Sequence, residues 1–75
     1  MRKTIQNNIR RLRFDHKVMT QQELADRIGV TRQTVNAIEL NKYSPSLEVA
    51  FRIAEVFGVP LDQVFQYGHS SRSSS

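Results

Sequence analysis

The stretch Gln21–Leu40, QQELADRIGVTRQTVNAIEL, predicts two short helices joined by a tight turn. Leu24, Ala25 and Ile28 form one apolar stripe at three- and four-residue spacing. Val35 and Ile38 form a second, with Gly29 and Val30 between them. Each helix has its own start signal. Thr20 stands three residues before Glu23, the spacing at which a hydroxyl and a carboxylate cap each other's backbone N–H groups. Thr31 can cap the second helix in the same way, without the returning Glu. A chain that leaves one helix and enters another so soon needs a residue at ease with positive φ, and Gly29 supplies it. Ala25 is small where the second helix must cross the first.

Working outward, Thr4 to about His16 reads as helix one, with Ile5, Ile9 and Leu12 on a single face. Phe14 points roughly opposite. Either the helix ends early and the loop turns Phe14 inward, which is the preferred reading, or Phe14 packs on another subunit or on the C-terminal tail. After Leu40, Asn41-Lys42-Tyr43-Ser44-Pro45 is a loop, since Asn41 tolerates the left-handed conformation and Pro45 disfavours helix at its predecessor. Ser46 starts helix four, with Leu47, Ala50, Ile53, Ala54 and Phe57 on one face, Phe51 and Val56 beside it, and Gly58 as its stop. Pro60 and Asp62 favour the first turn of a last short helix whose Leu61, Val64 and Phe65 close the core. From Gly68 the segment GHSSRSSS lacks apolar residues and is expected to be disordered. The expectation is an all-α domain at 1–67 and a tail at 68–75.

TQQELA, GVTRQTVNAIE and NKYSPSLEVAFRIAEVFGVPLDQVF together resemble the Xre-like class of helix-turn-helix proteins, the phage repressor and Cro family. The resemblance spans roughly residues 5 to 66, and it looks closest to small bacterial and archaeal regulators without an attached ligand-sensing domain. It implies a compact five-helix bundle of the lambda-repressor-like DNA-binding type, with the helix-turn-helix at helices two and three. Two features depart from the family pattern. Leu40 and Asn41 stand where a polar residue and Gly are common, and FDHKVM before Thr20 is about one residue longer than usual and has no Gly.

With Val35 and Ile38 turned inward, helix three presents Gln33, Asn36, Ala37 and Leu40 outward, flanked by Arg32 and Thr34. Arg suits guanine O6 and N7, Gln or Asn suits adenine N6 and N7, and small apolar groups suit a thymine methyl. The resemblance implies that the N-terminal half of this helix enters the major groove, so the expected base readers are Arg32, Gln33, Thr34, Asn36 and Ala37. Expected phosphate contacts are Gln21 and Thr31 at the starts of helices two and three, Lys42, Tyr43 and Ser44 in the following loop, and Arg10 on helix one as a further contact. Arg13 and Glu39 match a family pair that ties helix one to the end of helix three. One such domain covers too few base pairs for useful selectivity. A homodimer through Val59, Leu61, Val64, Phe65 and Tyr67 is expected, with recognition helices about 34 Å apart on a palindrome. Those residues equally serve as intramolecular core.

Composition bounds the alternatives. The 75 residues suffice for one small domain. The net charge is +4, and residues 1 to 17 hold six basic side chains against Asp15, leaving that segment +5 and the remainder −1. Such a segment suits a polyanion such as double-stranded DNA, and it equally describes a solvated helix face. The absence of cysteine excludes disulfides and thiolate metal sites and fits a cytoplasmic setting. No apolar run is long enough to span a bilayer. His16 and His69 stand alone, without the spacing of a zinc site, and Asp15, Glu23, Asp26 and Glu48 read as helix starts and solvent faces. No nucleophile elbow or phosphate-binding loop is present. The expectation is therefore a regulator, of repressor type, with no catalytic residue, no cofactor, no metal and no small-molecule ligand. The competing reading keeps the same fold and makes it an antitoxin or adaptor that works through Phe14, Leu40 and the C-terminal apolar residues.

Overall fold

The computed structural model describes residues 3–69. Their order is β1 (Lys3–Asn7), α1 (Ile9–Asp15), α2 (Gln21–Ile28), α3 (Arg32–Glu39), α4 (Leu47–Phe57), α5 (Leu61–Val64) and β2 (Phe65–His69). The five helices match the expected bundle, but the fold is not all-α. β1 and β2 pair antiparallel, with Ile5 opposite Tyr67 and Asn7 opposite Phe65. Helix one is correspondingly shorter than its periodicity suggests, because the backbone groups of Thr4–Asn7 bond to a strand from the other end of the chain. The expected tail boundary also shifts. Gly68 and His69 pair with Thr4 and Lys3, while residues 70–75 lie outside the described residues.

The bend from strand to helix is made by two asparagines. The Asn7 carboxamide oxygen accepts from the Ile9 backbone N–H at 3.1 Å, a side-chain turn that stops the strand. Asn8 donates its backbone N–H to the Val64 carbonyl at 2.9 Å and its side-chain amide to the Gln63 carbonyl at 3.1 Å, docking the start of α1 on α5. Ile9 is then fully buried.

Both expected caps of the helix pair are present. Thr20 Oγ1 accepts from the Glu23 backbone N–H at 3.0 Å, and Glu23 Oε1 accepts from the Thr20 backbone N–H at 2.8 Å. Thr31 Oγ1 accepts from the Thr34 backbone N–H at 3.1 Å, and Ser46 Oγ accepts from that of Val49 at 3.2 Å. The two stripes meet as expected: Leu24, Ala25 and Ile28 from α2 and Val35 and Ile38 from α3 are all buried. Ile53, Ala54 and Phe57 of α4, Val64 of α5 and Met19 from the loop before α2 complete the core.

Several side chains expected on packing faces are not in that core, and among them Ile5 and Phe51 are 42% and 56% exposed. Leu47 begins α4 but is 73% exposed, and Phe14 is 53% exposed, its ring lying 5.9 Å beneath the Arg10 guanidinium. Phe14 leaves the apolar face because α1 continues through it to Asp15, and helical geometry holds it about 140° around the axis from Ile9. The loop that follows lacks the glycine common in such domains. Lys17 and Val18 adopt φ of 60° and 53° instead, a conformation unfavourable for a β-branched side chain. Arg13 steadies this turn by donating from Nη1 to the Met19 carbonyl at 2.9 Å.

Gly29 ends α2 at φ 78°. A Cβ there would lie 3.5 Å from Arg52 Nη1, an ordinary contact, so backbone conformation dominates its replacement. Gly29→Ala is expected to cost about 1 kcal/mol, the left-handed penalty partly offset by a stiffer unfolded chain. Thermal denaturation should show a midpoint lower by about 4–8 °C.

Candidate nucleic-acid interface

The far side of α3 follows from what lies beneath it. Val35 and Ile38 are buried, which leaves Arg32, Gln33 and Asn36 exposed and Thr34 and Ala37 at the margins. All five expected base readers therefore share the outer half of one short helix. Its end is set by Asn41, which takes φ 61° in place of the usual glycine. The Asn41 backbone N–H bonds to the Ile38 carbonyl at 3.0 Å and that of Lys42 to the Ala37 carbonyl at 2.9 Å, a paired closure of the last helical turn. Lys42, Tyr43 and Ser44 then emerge exposed beside the helix terminus.

Asn7 holds this closure in place. Its side-chain Nδ2 donates to the Ile38 carbonyl and to Asn41 Oδ1, both at 2.9 Å. The β-ribbon is thus bonded directly to the end of the candidate recognition helix. Sequence reasoning missed Asn7 and Asn8. An Asn pair immediately before the apolar run at Ile9 is a helix-start signal, and it was legible.

The same end of α3 is also braced by charge. Arg13 Nε donates to Glu39 Oε2 at 2.6 Å and Arg13 Nη2 to Glu39 Oε1 at 3.0 Å. The two side chains retain only 12% and 7% of their accessibility. A forked, nearly dry pair of this kind holds geometry because both donors and both acceptors are fixed at once. Gln21 extends it: its Nε2 donates to Glu39 Oε1 and to Asn36 Oδ1, both at 3.1 Å. Arg13, Glu39, Gln21 and Asn36 form a continuous chain from the inside of α1 to the outside of α3.

Among the other expected phosphate ligands, the Thr31 hydroxyl caps α3 and also lies 3.0 Å from the Thr34 hydroxyl. Arg10 is exposed on α1. Arg13 does not contribute to the basic surface, being neutralised by Glu39, whereas Arg10, Arg11 and Lys17 remain exposed. Arg2 lies outside the described residues. Among those described, no group of three or more metal-ligating side chains occurs, and no helix is long and apolar enough to cross a membrane.

A family model described as helix-turn-helix matches residues 9–64, the segment from the start of α1 to the end of α5. The chain belongs to this helix-turn-helix family. This helix-turn-helix chain is 46% identical over 63 residues to an uncharacterised HTH-type transcriptional regulator of Methanocaldococcus jannaschii, covering 84% of this chain and 94% of that one. An uncharacterised HTH-type transcriptional regulator of Bacillus subtilis is 44% identical over 55 residues, 73% of this chain and 79% of the relative. A Bacteroides fragilis crystal structure, described as that of a candidate DNA-binding protein, superposes with a TM-score of 0.73 at 27% identity, covering 84% of this chain and all of that one. The Methanocaldococcus jannaschii and Bacillus subtilis relatives are named as regulators, and the family is not one of enzymes.

The expected dimer residues separate into two groups. Val64 is fully buried in the chain's own core, which withdraws it from the expected dimer surface. Val59, Leu61 and Phe65 are half-buried and pack on that core from outside. Tyr67 is 69% exposed and faces the same side as Ile5, its cross-strand partner. Ile5, Leu47, Leu61, Phe65 and Tyr67 line one shallow apolar groove between the ribbon and the start of α4.

Proposed function

We propose that this protein is a sequence-specific double-stranded DNA-binding transcriptional regulator of repressor type, which places α3 in the major groove and acts as a homodimer on a palindromic operator. The observation that carries this reading is the exposed row Arg32, Gln33, Asn36 on a short helix whose underside is fully buried. Thr34 and Ala37 flank the base edges. Lys42, Tyr43, Ser44 and Arg10 meet phosphates on either side, joined by Thr31 and by the N-terminal backbone of α2 at Gln21, where helix N–H groups favour an anion.

The dimer reading is supported by apolar surface. Ile5, Leu47 and Tyr67 are 42%, 73% and 69% exposed around one groove, and a lone two-stranded ribbon gains stability by being covered. The face differs from the one expected at the C-terminus alone: it adds Ile5 and Leu47 and loses Val59 and Val64.

Salt-dependent binding to an operator selected from random duplexes tests the assignment. Lys42→Ala is expected to weaken binding to every duplex and to lower the slope of log affinity against log salt by about one unit. Gln33→Ala is expected to relax preference at one base pair by about 1–3 kcal/mol and to leave the slope unchanged. Parent-like behaviour of both variants on all sequences would rule the interface out.

Exposed Phe14 and Leu40, at 53% and 55%, support the second reading, an antitoxin or adaptor on the same scaffold. A Phe14→Ser, Leu40→Ser double variant that keeps full operator binding but loses a co-purifying protein would favour it.

A further inference from the structure

Two side-chain amides in the chain from Arg13 to Asn36 have their orientations dictated by chemistry. A carboxylate only accepts, so the Gln21 atom 3.1 Å from Glu39 Oε1 is the donor Nε2. That nitrogen only donates, so the Asn36 atom 3.1 Å from it is Oδ1. The two Nε2 hydrogens are then both engaged, one by Glu39 and one by Asn36. The Gln21 side chain keeps only an oxygen for other partners, and a phosphate, itself an acceptor, has no use for it. Asn36 Oδ1 is drawn back toward α2, which leaves Nδ2 as the amide atom turned away from the protein.

We infer that Gln21 is a positioning residue which, anchored on the Arg13–Glu39 pair, turns the Asn36 amide donor-outward and makes residue 36 a reader of guanine, the base whose major-groove edge offers two adjacent acceptors. This rests on the DNA-binding reading above and sharpens it. An Asn free to turn reads adenine with its oxygen on N6 and its nitrogen on N7. With Oδ1 held by Gln21 that paired fit is lost, and the two hydrogens of the remaining donor suit the adjacent acceptors guanine N7 and O6, whereas adenine sets its N6 donor beside N7. Specificity at one base pair is therefore set by a contact between α2 and α3 rather than by Asn36 alone.

Selection from randomised duplexes with the full chain and two variants tests this. Asn36→Asp still accepts from Gln21 but presents an oxygen outward, so one position of the site is expected to switch to cytosine, which identifies the pair that residue 36 faces. At that pair the parent should enrich guanine. Gln21→Met, which removes both donors, should admit adenine there and narrow discrimination by about tenfold, with the remaining positions and the salt slope unchanged. If Gln21→Met instead weakens all duplexes equally and lowers the salt slope with base preference intact, Gln21 is a phosphate ligand and the inference fails while the DNA-binding reading stands. Adenine enriched by the parent at that pair has the same meaning. A parent that prefers no duplex overturns both. A measurement on the unmodified protein is independent of variant folding: the Gln21 side-chain amide protons should exchange with solvent more slowly than those of exposed Gln33. Equal rates would overturn the inference.

Discussion

Replacing Arg13 with alanine is expected to lower the unfolding free energy by about 3–5 kcal/mol, the cost of leaving one member of a desolvated ion pair behind. Glu39 retains only 7% of its side-chain accessibility, so water cannot replace the two guanidinium donors. The same substitution removes the bond to the Met19 carbonyl, which steadies the strained turn at Lys17 and Val18. In a domain of this size each kcal/mol moves the melting midpoint by roughly 4–8 °C, so the loss should be plain in a thermal scan. Arg13→Met combined with Glu39→Leu should recover much of it, because the charge left without a partner is then gone. A double-mutant cycle measures this directly. A near-zero coupling energy would show that the pair behaves like an exposed one and contributes little.

The second large effect belongs to the apolar groove. Leu47→Glu is expected to yield a monomer and to weaken binding to a palindromic site by about a hundredfold or more, since two linked half-sites engage far more tightly than one. Leu47 is the first residue of α4, where a carboxylate suits the helix dipole, and it is 73% exposed. The substitution therefore leaves the fold intact, and a fall in affinity reports association rather than unfolding. Sedimentation analysis should show half the parent mass, while affinity for an isolated half-site stays the same. A variant that sediments and binds like the parent would exclude this face.

The helix-turn-helix was legible in the sequence because every signal for it is short-range. Thr20 with Glu23, Thr31 with Thr34 and Gly29 at its turn all act within one helical turn, and the stripes Leu24–Ile28 and Val35–Ile38 state which faces meet. From these the outer row of α3 followed by geometry alone. The family, matched over residues 9–64, was legible for the same reason.

What the chain's own order does not display, tertiary structure decided. Ile5 lies in phase with Ile9 on a helical wheel, yet β1 forms because its backbone partners, Phe65–His69, arrive from the opposite end, and periodicity carries no record of a partner so distant. The exposure of Phe14 and Leu47 and the burial of Val64 depend likewise on which elements come to lie alongside. The bond from Gln21 to Asn36 joins residues fifteen positions apart, and that from Arg13 to Glu39 joins residues twenty-six apart. Amino-acid types set which side chains offer donors and acceptors; only the crossing of α2 over α3 decided which of them face one another, because a hydrogen bond is satisfied by position in space and not by position along the chain.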